Sequence, residues 1–518
     1  MIQNQKEDIH HADEALLASL GYKQEFKRAF TPLEVFGIAF SIIGLLPSIA
    51  SVLFYAIPNG GGPAMIWGWA VASLFILTIG LAMAELASAA PTSGGLYTCS
   101  TVDANTVGSV AGIASINWGC AVQVMAAADI GSSNGFDATR GQLYGTYTAI
   151  VISHALICCL GTTVLARLQT VYVVLNVIIC LAVIVALPAS TPVRNSASFA
   201  MGEFVNLNGW PDGYAFIMSF LAPLWTIGAF DSSVHISEEA SNAATAVPWA
   251  IVSAISIAGV LGWAINMSLA FCMGTDLEAL AASPQPMAAI FNNSFGQRGT
   301  LTLWAFVILI QYMMGSSLVL AASRQTFAFS RDSALPFSSW LYRMNHYTKT
   351  PVNTVIFVAF FALLLGLLAF AGSVAINAVF SLAVTASYIA YAIPIAARWL
   401  GDNEFKPGPF SLGFMSLPIS MTAVLFMFFL SIVILFPTTP QTDVPDMNYT
   451  VVVLGGVLIL SLTWYYFPKY GGIHWFNGPI ANIGTMGMSV KGITVGRESG
   501  APEVEVEEND SVPEKRST

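Results

Sequence analysis

The sequence predicts an all-α integral membrane protein of about twelve transmembrane helices. It reads as a five-plus-five inverted repeat with broken helices 1 and 6, plus two extra C-terminal helices. Three observations predict this. Hydrophobic residues make up 55% of the 518 and charged residues only 9%. Soluble globular chains carry roughly 25% charged residues, so a soluble domain is excluded. Twelve apolar runs are each long enough to span a bilayer. Two of them, five spans apart, carry helix breakers near their middles, and an odd five-span repeat inverts its second copy. Corresponding breaks in two halves are the sequence sign of a binding site at the membrane midplane.

Residues 1–31 are polar and read as a cytosolic leader, with a short helix over Ala15–Lys27 ahead of Pro32. They hold no short apolar core with a cleavage site, so the first span is expected to act as an uncleaved anchor. That span, Leu33–Leu53, is interrupted by Gly44 and Pro47 and ringed by Ser41, Ser48 and Ser51. Met65–Leu86, Val107–Ala128, Tyr144–Leu165 and Val171–Leu187 complete a first repeat over 33–187. Tyr214–Val234 opens the second repeat, 214–397. In it Pro223 removes a backbone donor, and Gly228 loosens the chain before Glu238 and Glu239 close the segment. A spanning helix is broken like this only where protein or a water-filled cavity satisfies the freed groups. Pro248–Met273, Leu301–Ala322, Val352–Ala371 and Ile376–Ala397 finish that repeat, and Leu417–Phe436 and Val451–Phe467 are the two additional helices of 417–467. The transmembrane domain therefore covers 32–470. Residues 471–518, rich in Glu, read as a largely disordered cytosolic tail.

Lys and Arg set the orientation. With the N-terminus in the cytosol, 16 of the 19 basic residues fall on the cytosolic side and only Arg140, Arg194 and Arg298 on the other. Both termini are thus expected in the cytosol. The plasma membrane is the favoured location, with the vacuole or another internal membrane as the alternative. Sequons at Asn292 and Asn448 fall in expected outer loops. Five of the six cysteines lie within spans, which argues against a disulfide framework. No metal cluster, nucleophile–base spacing or Walker loop emerges, so an enzyme, a cofactor, an ATP-driven pump and a nucleic-acid partner are all disfavoured.

The ends of half-helices present free amides that attract anionic groups. Ile43, Gly44, Leu45 and Ser48 at the first break, and Thr226, Ile227 and Gly228 at the second, are therefore candidate substrate-binding residues. Trp225 and Phe230 are candidate walls. Asp231, the acidic residue inside the sixth span, is a candidate partner for an amine or a proton. Glu85, Glu238, Glu239, Arg324 and Arg331 share the expected cytosolic edge and are candidate gate residues, paired across it.

Three stretches carry a family resemblance: ELASAAPTSGGLY (Glu85–Tyr97), DSSVHISEEASN (Asp231–Asn242) and SRQTFAFSRDSALP (Ser323–Pro336). Together with the opening LGYKQEFKRAFTPLEVFGIAFSIIGLLPSIASVL, they resemble the amino acid–polyamine–organocation transporters, and within these the fungal branch of GABA permeases and choline transporters. The resemblance runs from about Leu20 to Phe476. It implies the LeuT-like five-plus-five fold and secondary active transport of a small amine or amino acid through the lipid membrane. A GABA-like substrate and a proton as coupling ion are favoured. The alternatives are choline or polyamine uptake, or a transport-inactive nutrient sensor. Two positions depart from the family. Leu46 stands where a second glycine is usual, and Asn176 stands where many relatives carry a lysine in the fifth span. Asn176, Ser316 and Ser317 are the candidate coupling-ion residues.

Overall fold

The computed structural model describes residues 13–18, 24–26, 28, 30–93, 99–133, 135–160, 162–401, 405–440, 447–469 and 471–474. The expected tail from residue 475 onward and the segment 94–98 lie outside them. Among the described residues the chain is helical and multi-pass, with no strand beyond two isolated bridges. Nine helices among the described residues are long and apolar enough to cross a membrane. The fourth, sixth and twelfth passes are shorter, interrupted or less apolar.

The first span starts on a local signal. The Thr31 amide donates to Glu34 Oε2 at 2.8 Å, and Pro32 occupies the first turn, where a missing amide costs nothing. Pro32–Ile43 ends at Gly44, whose left-handed φ of 42° suits glycine, and Leu45–Ala56 continues beyond it. The sixth pass is broken more thoroughly. It runs as Asp212–Met218, Leu221–Thr226 and Ser232–His235, then a 3₁₀ turn over Ser237–Glu239. Leu45–Ala56 packs against Leu221–Thr226, so the two breaks adjoin in the core. The third span, Cys99–Gly131, packs along the tenth, Ser373–Leu400, and along the eighth. The second, Trp69–Ala89, packs along the seventh, Ala243–Cys272.

Several boundaries differ from the sequence reading. The fourth span is Arg140–Cys158 rather than reaching Leu165, and the fifth begins at Thr162. The apolar run continues through the turn between them, so hydropathy could not locate it. The eighth span does not stop at Ala322. It lies within a helix running from Pro286 to Arg331, kinked at Gly296, and its last turns carry Arg324 and Arg331 into the interior. The ninth is interrupted after Gly366. In the leader, where the sequence predicts a helix over Ala15–Lys27, residues 13–18 are helical and 24–26 are not, and the rest of that stretch lies outside the described residues. At the sequons, Ser294 and Thr450 are both buried, which does not suit modification at Asn292 or Asn448.

Candidate functional site

A central cavity lies between the broken sixth pass and the third, eighth and tenth spans. Ile42 from the first span borders it, with Asn105, Ser109, Trp225, Gly228, Asp231, His235, Met314, Tyr388 and Tyr391. Each spanning helix contributes one stripe. Asn105, Ser109, Gly112 and Ile116 recur at helical spacing on the third span, as do Met314, Leu318, Ala321 and Ala322 on the eighth.

The second break supplies most of the site's polarity. Ile227 N donates to Pro223 O at 2.8 Å and Gly228 N to Trp225 O at 3.3 Å, which closes the first half-helix. Ala229 then takes a left-handed φ of 53°. The amides of Ala229, Phe230 and Asp231 have no hydrogen-bond partner among the described residues. Unpaired amides beside a cavity are costly unless something polar meets them. The Trp225 indole is held by Nε1 donating to Ser115 Oγ at 3.1 Å. Asp231 Oδ2 lies 3.1 Å from His235 Nε2, and Tyr391 lines the same cavity from the tenth span.

The first break contributes less than the sequence suggested. Ile43, Gly44, Leu45 and Ser48 do not line the cavity. Met314 covers them: its Sδ would lie 2.7 Å from a Cβ at Gly44 and is 3.4 Å from Ser48 Oγ. Ser48 Oγ donates to Ile43 O at 2.6 Å, which satisfies that carbonyl from within the span. Thr226 and Ile227 also sit behind the lining, whereas Trp225, Gly228, Phe230 and Asp231 face it. Asn176 Nδ2 donates to Phe40 O at 3.3 Å, tying the fifth span to the end of the first half-helix. Ser316 Oγ donates to Met313 O at 2.8 Å, and Ser317 Oγ lies 3.0 Å from Gln169 Oε1. Both hydroxyls are engaged away from the break.

Toward the face that carries the N-terminus lies a layer of buried ion pairs. Arg324 Nε lies 2.9 Å from Glu239 Oε1, and Arg331 Nη1 lies 3.0 Å from Glu238 Oε2. Ser93 N donates to Glu238 Oε1 at 3.0 Å, bringing in the end of the second span. The leader lies over this layer. Phe30 N donates to Glu239 O and Ser241 N to Phe30 O, both at 3.0 Å. Gln24 Nε2 donates to Glu238 O at 2.9 Å, and Phe26 stacks edge-on against Phe327. Glu85 is not part of the layer, contrary to the sequence expectation. It pairs with Arg398 at 2.5 Å and accepts from Ser411, Leu412 and Ser416, bolting the second span to the tenth and eleventh. Toward the opposite face, Trp225 meets Phe380 at 4.9 Å. Phe380 also borders a separate cavity on that side, with Phe54 and Asn377. One aromatic layer divides the two spaces.

A sequence profile described as amino acid permease matches residues 30–458. The chain belongs to the amino acid permease family. This permease is 38% identical to a GABA-specific permease of Saccharomyces cerevisiae, over 91% of this chain and 86% of the relative. It is 35% identical to an uncharacterized amino-acid permease of Schizosaccharomyces pombe, covering 91% and 88% of the two chains. It is 30% identical to a putative polyamine transporter of Candida albicans, covering 91% and 90%. The permease is therefore an integral multi-pass membrane transporter of amino acids or amines and not an enzyme.

Residues absent from the sequence reading of the permease's site include Asn105, Ser109, Met314, Tyr388 and Tyr391. The stripes at helical spacing were the available signal. It was invisible in practice because lipid-facing and cavity-facing positions of a spanning helix are both apolar.

Proposed function

We propose that this permease is a secondary active transporter of GABA or a similar small zwitterion, driven by protons. The reading rests on one juxtaposition: three unpartnered amides at Ala229–Asp231 and the Asp231 carboxylate border the same aromatic-walled cavity. A carboxylate suits the amides. An amine suits Asp231 and the face of Trp225. A GABA-like solute carries both groups, whereas a polyamine leaves the amides unmet, and this favours the zwitterion.

In this reading the N-terminal face is cytosolic, as the distribution of Lys and Arg supports, and the membrane is the plasma membrane. Residues 33–187 and 214–397 are the two inverted repeats. The Trp225–Phe380 layer is the outer gate. The Arg324–Glu239 and Arg331–Glu238 pairs, together with the leader, are the inner one. The cavity between these two layers then corresponds to an occluded state with the thinner barrier outside.

The test is uptake of labelled GABA, putrescine and choline by the purified chain in proteoliposomes, with and without a pH gradient. We expect GABA to enter, faster with an inward proton gradient. Selective uptake of putrescine or choline would replace the substrate assignment. No uptake of any of these solutes, with retained GABA binding, would favour a sensor.

A further inference from the structure

We infer that Asp231 and His235 together hold the coupling proton. This rests on the proton-driven reading above and assigns that reading its residues. Both side chains line the central cavity and both are 5% exposed. His235 Nδ1 lies 3.0 Å from the carbonyl oxygen of Ser93. A carbonyl only accepts, so Nδ1 carries a hydrogen. On the other side of the ring, Nε2 lies 3.1 Å from Asp231 Oδ2. An ionised carboxylate also only accepts, so Nε2 then carries a hydrogen and the imidazole is cationic. If Nε2 is bare, the carboxyl group must carry the hydrogen instead. In either arrangement the pair holds one proton beyond that on Nδ1. Losing it sets two lone pairs against each other at 3.1 Å, and one group must turn away.

The surroundings make this proton consequential. Tyr391 borders the cavity from the tenth span together with Asp231, and Tyr388 borders it one turn away. No Lys or Arg lines the cavity among the described residues. Arg324 and Arg331, on the same helix as the cavity-lining Met314 and Leu318, are engaged with Glu239 and Glu238. Glu85 is held by Arg398. A substrate amine therefore has Asp231 as the anionic group available to it in the cavity, alongside His235.

Ser93 links the proton to the gate. Its carbonyl holds His235 and its amide holds Glu238 Oε1 at 3.0 Å. When the proton leaves and the ring turns, the same residue that fastens Glu238 loses its bond to the cavity wall. Proton release toward the N-terminal face and loosening of that face are thereby one event.

The test uses the full chain in proteoliposomes loaded with a pH-sensitive dye, with labelled GABA added outside. The readout is protons moved per GABA. We expect His235→Gln to lower that ratio by about tenfold and to flatten the pH dependence of the GABA flux that remains. An unchanged ratio in His235→Gln overturns the inference alone. A wild-type chain that takes up GABA without moving protons removes the proton-driven reading and the inference with it. A second measurement does not depend on transport. In ¹⁵N-histidine-labelled protein with six histidines, the His235 signal is the one lost in His235→Gln. We expect it to show hydrogen on Nδ1 at every pH at which the chain is folded. A neutral ring with hydrogen only on Nε2 overturns the assignment.

Discussion

Replacing Arg324 with methionine should open the N-terminal face of the permease. Arg324 is fully buried and Glu239 is 1% exposed, with 2.9 Å between Nε and Oε1. Removing one partner of such a pair costs about 3–5 kcal/mol in the closed state, because the remaining charge stays buried without its counterion. Opening this face lets water reach Glu239 and relieves that cost, so the penalty falls mainly on the closed state. If only about 1.4 kcal/mol of it is relieved, the ratio of open to closed molecules rises about tenfold. The assay is thiol labelling of Ser109→Cys, which lines the cavity, in a cysteine-free background. An impermeant maleimide is applied to vesicles that expose the N-terminal face. We expect labelling about tenfold faster in Arg324→Met, and reversed by exchanging the two charges, Arg324→Glu with Glu239→Arg. Unchanged labelling together with a lower thermal midpoint would refute the gate and leave a purely structural pair.

The leader should restrain the same face. Phe26→Ala, which removes the edge-on contact with Phe327 at 5.1 Å, should raise that labelling by a few-fold, in line with about 0.5–1.5 kcal/mol for an aromatic pair; no change would make the leader a bystander. Gly228→Val should reduce GABA binding by about tenfold or more, since even its Cβ would lie 3.0 Å from Trp225 O and move the break. Gly145→Val, where a Cβ meets nothing within 4 Å, should change binding little, and equal effects would count against the site. Gly366 is a poor control, because a Cβ there would lie 2.3 Å from the Tyr147 ring; Gly366→Val should destabilise by about 1–3 kcal/mol in thermal unfolding. Glu85→Gln leaves Arg398 facing a neutral amide and should lower the unfolding midpoint, with far less change in uptake per folded molecule. A variant of normal stability that no longer transports would return Glu85 to the gate.

The bilayer made the architecture legible. Spanning helices must be long and apolar, so eleven of the twelve expected spans overlap one observed pass each and only the fourth ran on into the next helix. Breakers at membrane depth need compensation, which is why Gly44 and Pro223–Gly228 could be read as discontinuities. The contents of the cavity were harder to read. Gly44 is a genuine break, but its covering residue, Met314, lies 270 positions away in sequence. No local pattern announces such a contact. Glu85 shares an edge with Arg324 and Arg331, yet it is taken by Arg398, because the tenth span ends beside the second. Charge on one face specifies a set of possible pairs, and packing chooses among them.

The central claim is that the cavity bounded by Trp225, Gly228–Asp231 and Tyr391 receives the substrate. A structure of the full chain with bound GABA tests it most directly. The account predicts ligand density in that cavity, with the carboxylate on the amides of Ala229–Asp231 and the amine toward Asp231. Density confined to the space beyond Phe380, with the central cavity empty at saturating GABA, would contradict it.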